Sequence, residues 1–303
     1  MAMAAMGSAP FFTAPETIKP PLLKSLPTSP PLSLSRSNVN CWGAASLSFT
    51  KTKKHNACCC QVKLEDEACE LVNGVELSIG DEGDSIDAYL LTAVKNNNGT
   101  GILLLSDVFG FEDSFTRDFA YRVACNGYNV LVPDLFRGDP WGKDRPVASF
   151  EQWIGKQDRN RVIQDTFTSV EWMVNEFVAA GISKKLGVIG FCYGGGLTLD
   201  ILAKDQGSSF GAGISFYGTR INTSLSTKIK SPLLLISGND DPHCPVSVLN
   251  DVDENVEKSK VVVFKGRGHG FVHRPQSPEE DRDAEEAFVI MRSWLNDFLL
   301  EQN

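Results

Sequence analysis

The sequence predicts an α/β fold: a mostly parallel central sheet with helices on both faces. Short, unbroken apolar runs recur along the chain, as in Leu186-Gly-Val-Ile-Gly-Phe191. Segments of helical spacing fall between most of them, and no repeat or linker interrupts the stretch from residue 69 onward. A strand covered on both faces meets no water along its length, so it reads as a continuous apolar run rather than an alternating one. The pattern therefore describes a single catalytic-sized domain over 61–303, preceded by a compositionally different leader, 1–60.

Taken in order, Glu70–Ile79 and Ser85–Thr92 read as early strands around turns at Asn73-Gly74 and Gly80–Gly83. Asn96-Asn97-Asn98-Gly99 is a turn signal. Gly101–Ser106 follows as a strand, Asp113–Asn126 as a helix and Tyr128–Pro133 as a strand. After a polar, Gly/Pro-containing stretch from Arg137 to Pro146, Val162, Phe167, Val170, Met173, Val174 and Phe177 form a helical stripe within 158–180. Further strands are expected at Leu186–Phe191, Ala212–Tyr217, Pro232–Ser237 and Lys260–Phe264, with a last helix from about Pro278 to Leu300. In such sheets ligands gather at the carboxyl ends of the strands. Asp107, Asp134, Cys192, Tyr217 and Asp241 all fall there.

The leader is acid-poor. Residues 1–57 hold seven prolines, eight serines and six Lys/Arg against the single acid Glu16. That segment is therefore about +5, which leaves about −14 for the rest of a chain whose net charge is −9. A basic, Ser-rich segment without one apolar core is the composition of an organelle transit peptide, disordered before import. Its Ser/Pro content and sparse arginine point to the chloroplast stroma, with mitochondrion or cytoplasm as alternatives; cleavage is expected near Cys58-Cys59-Cys60. The eight cysteines show no C-x-x-C spacing, and the Cys58-Cys59-Cys60 triplet has no companion His or Cys at ligand spacing, so neither a disulfide framework nor a zinc site is expected. The acidic body lacks a basic patch, which argues against nucleic acid. No run approaches 18 apolar residues, which argues against a membrane span.

Gly190-Phe-Cys192-Tyr-Gly194 has the frame of a nucleophile elbow with cysteine at its centre, placed between an apolar strand and a helix-like run. At the start of a helix, backbone N–H groups and the helix dipole favour a thiolate. A base is then required. Of the four histidines, His269 in Gly266-Arg-Gly-His-Gly-Phe271 follows the last strand, where a glycine-rich turn swings an imidazole over the sheet edge. Asp241 supplies the orienting acid, three residues after Gly238 and four before Pro245. Cys192, Asp241 and His269 occur in the chain order of an α/β-hydrolase triad.

With Ser106-Asp-Val-Phe-Gly110, Pro133-Asp-Leu-Phe-Arg-Gly138, Phe216-Tyr-Gly218 and Gly268-His-Gly-Phe271, these residues resemble the dienelactone hydrolase (carboxymethylenebutenolidase) family over roughly 70–300. The resemblance implies an α/β-hydrolase fold and a carboxylic ester hydrolase acting on a small-molecule ester or lactone through a Cys–Asp–His triad. It implies an oxyanion hole from the backbone N–H groups of Val108 and Tyr193, and no metal or organic cofactor. It places Arg137 and Tyr217 in substrate binding, with a surface ion pair for Arg137 and simple packing at a strand end for Tyr217 as the alternatives. Two positions depart from the family. Asp107 stands where a glutamate usually contacts the thiol, and either approaches Cys192 or only orders its loop. His273, with Arg274 beside it, stands where a second carboxylate-binding arginine is usual. Trp141 and Trp153 are candidates to roof the pocket. Because some plant members carry glucanase names, cleavage of a glycosidic bond by a carboxylate pair is one alternative; a non-catalytic ligand receptor on the same frame is another. Oligomeric state is not legible.

Overall fold

The computed structural model describes residues 71–178 and 185–300. The expected leader, its expected cleavage region and Cys69 lie outside the described residues. Strands β1 (Val72–Ile79) and β2 (Ile86–Ala93) come first, then β3 (Gly101–Leu105), α1 (Ser114–Cys125) and β4 (Asn129–Pro133). Helices α2 (Phe150–Lys156) and α3 (Arg159–Met173) precede β5 (Leu186–Phe191), α4 (Tyr193–Asp205) and β6 (Phe210–Phe216). The chain continues through β7 (Leu233–Gly238), α5 (Val246–Asp253), β8 (Ser259–Phe264) and α6 (Pro278–Leu295). The eight strands form one sheet in the order β1-β2-β4-β3-β5-β6-β7-β8. β1 pairs antiparallel with β2, and β2 with β4; every other pairing is parallel.

The apolar runs lie where both faces are covered: every residue of β3, β4, β5 and β7 is buried. The edge strands β1 and β8 are mostly exposed or half-buried. Helix starts follow capping chemistry. The Asp113, Asp158 and Ser277 side chains accept from Phe115, Asn160 and Glu280 N–H, and Pro278 occupies the first turn of α6. Beneath the site, the Phe119 ring meets Phe191 edge-on at 4.7 Å and Phe288 at 5.4 Å, and Phe191 stacks on Phe216 at 5.0 Å. Each buried phenyl contributes about 1.5–3 kcal/mol of transfer free energy, which makes the floor under the elbow stiff.

One expectation is corrected. Asn73-Gly74 is no turn: both residues pair inside β1, opposite Thr92 and Leu91. Exposure on an edge strand tolerates such residues, and the Tyr89 ring covers the space a side chain at Gly74 would occupy. The π-helical turns Val174–Val178 and Asn296–Leu300 close the helical stretches that α3 and α6 begin.

Candidate active site

Cys192 lies between β5 and α4 with φ 53° and ψ −113°, outside the conformations that L-residues ordinarily adopt. The surrounding backbone holds it there. Its N–H donates to Phe216 O at 3.1 Å, and its carbonyl accepts from Gly196 N–H at 3.1 Å and Thr219 N–H at 2.9 Å. The flanking glycines are required: a Cβ at Gly190 would strike the Gly194 carbonyl, and one at Gly194 would strike the carbonyls of Leu105 and Ser106. A strained position fixed on both sides aims a side chain at one place.

The loops after β7 and β8 bring Asp241 and His269 to that place. Asp241 Oδ2 lies 2.7 Å from His269 Nδ1, while Oδ1 accepts the His243 N–H at 2.8 Å. Nδ1–H therefore points to the carboxylate and leaves Nε2 as the nitrogen for the thiol. Burial disfavours the His269 cation, yet hydrogen bonds to Asp241 and Cys192 outweigh it and push its pKa from 6.5 to about 10. Asp241 moves the opposite way: burial would raise its carboxyl, but the bond and charge of His269 hold it below the ordinary value. The Tyr217 and His243 rings pack edge-on against His269, at 5.1 and 5.3 Å. Val108 and Tyr193 line the cavity that contains Cys192. Tyr193 is the first residue of α4, where backbone N–H groups have no intrahelical partner. The Val108 loop is pinned by Trp141 N–H donating to Val108 O at 2.8 Å and by Phe109 N–H donating to Asp107 Oδ1 at 2.9 Å.

Asp107 is committed to its own loop and to residues after His269. Its Oδ2 accepts from His273 Nε2 and from Arg274 Nε, each at 3.0 Å. Burial opposes its ionisation, but the His273 hydrogen bond and the neighbouring charges hold its carboxyl below the usual range. His273, fully enclosed and stacked on Phe191 at 4.3 Å, is held below its usual pKa by burial and is neutral. The Tyr217 hydroxyl, kept protonated by burial, donates to His273 Nδ1 at 2.5 Å. Tyr217 and His273 thus both line the cavity, but their polar atoms are bonded to each other. Arg274 adds an ion pair to Asp113 at 2.7 Å and lies over the Phe109 and Phe115 rings.

Arg137 is not brought to this cavity. Its fork grips Asp165 at 2.9 and 2.7 Å, and its Nη1 reaches Asp84 at 2.7 Å, in a separate surface recess. The expected carboxylate-binding role is replaced by a structural ion pair that ties the β4 loop to α3 and the β1–β2 turn. Trp141 lines the cavity; Trp153 packs behind it, with its indole N–H on Asp139 O at 3.0 Å. Sequence reasoning missed α2, which contributes Phe150, Glu151 and Ile154 to the cavity, and His243. His243 had a local signal, two residues past Asp241; α2 is seven residues long and follows a Gly/Pro-containing stretch, so it had none. The cavity encloses ≈ 780 Å³. Among the described residues no group of three or more His, Cys, Asp or Glu is arranged to hold a metal, and no helix is long and apolar enough to cross a membrane. Asp107 and Asp241 are each spoken for by a histidine, so they do not form the free carboxylate pair that glycoside cleavage uses.

The chain resembles known proteins along most of this domain. Residues 86–299 match the profile of the dienelactone hydrolase family. The human carboxymethylenebutenolidase homolog is 28% identical over 228 residues, covering 71% of this chain and 89% of that protein. Its rat counterpart is 26% identical over 248 residues, covering 78% and 99%. The dienelactone hydrolase from Anabaena variabilis superposes with a TM-score of 0.60 at 18% identity, over 76% of this chain and 99% of that one. An elbow at a sheet edge, the hydrolase topology and a family profile spanning nearly the whole described domain agree: this chain belongs to the dienelactone hydrolase family and is a hydrolase of the carboxylic-ester type.

Proposed function

We propose that this enzyme hydrolyses a small ester or lactone through a Cys192 acyl-enzyme. The observation that carries the reading is the chain of contacts from Asp241 through His269 to Cys192, with the cysteine held in a left-handed turn. In the resting site His269 is an imidazolium beside the sulfur, which stabilises the thiolate. The thiolate adds to the acyl carbon, and the oxygen that gains charge is met by the N–H groups of Tyr193 and Val108, each worth about 3 kcal/mol of barrier. The tetrahedral species collapses by expelling the alkoxide, which takes the proton from His269 Nε2 and leaves a thioester on Cys192. Now neutral, His269 accepts a proton from water as its oxygen attacks the thioester; the acid leaves and the imidazolium–thiolate pair is restored. Asp241 keeps the tautomer and orientation throughout.

Thioesters form readily from activated esters and lactones and poorly from amides, so amides are expected to be weak substrates. The walls formed by Trp141, Phe150 and Ile154 suit an apolar acyl or alcohol part. Turnover of a p-nitrophenyl ester panel by wild type, Cys192→Ala and His269→Ala tests the assignment. Both variants are expected to lose at least about 10³-fold in kcat/KM, and wild-type rates in Cys192→Ala would exclude the cysteine as nucleophile. The composition of residues 1–60 supports delivery to the chloroplast stroma; a reporter carrying those residues and remaining in the cytosol of a leaf cell would count against it.

A further inference from the structure

A second recess, of ≈ 560 Å³, lies beside the catalytic cavity between α3, α4 and the loop after β6. Its charge is opposite to that of the protein. Arg159, Lys204, Arg220 and Lys228 line it against one acid, Asp200, in a chain whose net charge is −9. That acid is already used, since Asp200 pairs with Arg159 Nε at 2.5 Å. The Nη1 and Nη2 atoms of Arg159, buried near the Tyr193 ring, have no partner of hydrogen-bond geometry. Lys204 lies over the Phe167 ring at 4.9 Å, and among the described residues neither Lys204 nor Lys228 has a carboxylate partner. Four cations around one concave site, facing a single acid that is already paired, suit a compact dianion with several oxygens.

Arg220 also lines the catalytic cavity. It follows Thr219, whose N–H holds the Cys192 carbonyl, and it has a left-handed φ of 56°. Its Nη2 bonds Glu151 of α2 at 3.0 and 2.8 Å, with both side chains largely exposed. An exposed pair of this kind is weak, so a dianion in the recess competes effectively for the same guanidinium.

We propose that this recess is a second ligand site, for phosphate or a phosphate ester, and that its ligand draws Arg220 from Glu151 and so changes the mouth of the catalytic cavity. The effect on turnover rests on the ester-hydrolase reading; binding does not, and calorimetry reads it without turnover. Titration of the enzyme with inorganic phosphate at constant ionic strength is expected to show saturable binding at one site, with none for chloride. Lys204→Ala/Lys228→Ala is expected to weaken phosphate at least about tenfold, as loss of two charge-assisted contacts requires. That variant keeps its circular dichroism and its kcat on a neutral ester. Bound phosphate is expected to shift KM for the neutral ester in wild type, and Glu151→Gln is expected to show the shifted KM without phosphate and no further response to it. Absence of saturable binding, or binding undiminished in the double lysine variant, overturns the site. A KM unmoved by bound phosphate overturns the link to the mouth.

Discussion

The His269 pKa is pushed up to about 10 because the Asp241 carboxylate lies on one side of its ring and the Cys192 sulfur on the other. Two consequences can be measured at single residues. Alkylation of Cys192 by iodoacetamide at pH 7 is expected to be about tenfold or more slower in His269→Ala than in wild type, because the sulfur loses the positive charge beside it. An unchanged rate would show that the imidazolium does not stabilise the sulfur. Asp241→Asn is expected to leave the cysteine alkylatable while lowering kcat by about 10²–10⁴, since the amide presents the wrong partner to Nδ1; equal kcat would remove Asp241 from the relay. The Asp241–His269 bond and the Cys192 elbow were legible at this scale because each of the three residues sits in a local glycine frame directly after a strand. Arg137 was not. Its partners Asp165 and Asp84 lie 28 and 53 residues away, and only the folded chain shows that they claim its guanidinium. Asp107 and His273 are alike in this: 166 residues apart, they meet in a buried hydrogen bond of 3.0 Å.

Among the elements, the β5–α4 elbow is the least tolerant of change and α2 among the more tolerant. Gly194 abuts the carbonyls of Leu105 and Ser106 on the neighbouring strand end, which cannot move without tearing the sheet. Gly194→Ala is therefore expected to destabilise by about 1–3 kcal/mol or more. Gly155, inside α2, has nothing within 4 Å of a modest added side chain, so Gly155→Ala is expected to stabilise by about 0.5–1 kcal/mol. Urea unfolding of both variants measures the contrast, and similar shifts for the two would contradict it. Strand positions were legible to within a residue or two where burial on both faces imposes an apolar run, as in β3, β5 and β7. They were less so on β1, where the exposed edge relaxes the demand on side chains and leaves Asn73-Gly74 looking like a turn. Helix α2, too short for a periodic signal, acquires its position from the Trp141, Phe150 and Trp153 rings that pack together.

Across the whole molecule, the buried titratable groups set how stability varies with pH. Asp107 and Asp241 are held below 3.8, so each contributes stability in full above that value and loses it as pH falls through the folded-state pKa. His273, held below 6.5, contributes in full above 6.5 and less as pH falls beneath it. His269 has the opposite sign: raised from 6.5 to about 10, its contribution is complete below 6.5 and is lost as pH climbs through 10. A stability maximum near pH 6–7 is expected in urea titrations, and His269→Ala should flatten the alkaline side and also remove Asp241's share of the acid side, leaving the shares of Asp107 and His273; an alkaline limb that survives this substitution would assign it elsewhere. At this scale the class of sheet was legible from alternating apolar strands and helices, whereas the cavity was not, because its walls come from the connections after all six strands β3 to β8 and from the short helix α2, which only the assembled sheet brings together. The most direct measurement of the proposed chemistry is intact-mass spectrometry during the burst with p-nitrophenyl acetate. Wild type is expected to gain about 42 Da, one acetyl group, on the peptide containing Cys192, and Cys192→Ala to gain nothing and turn over no ester. Equal turnover by Cys192→Ala, with no adduct on either protein, would contradict a cysteine acyl-enzyme.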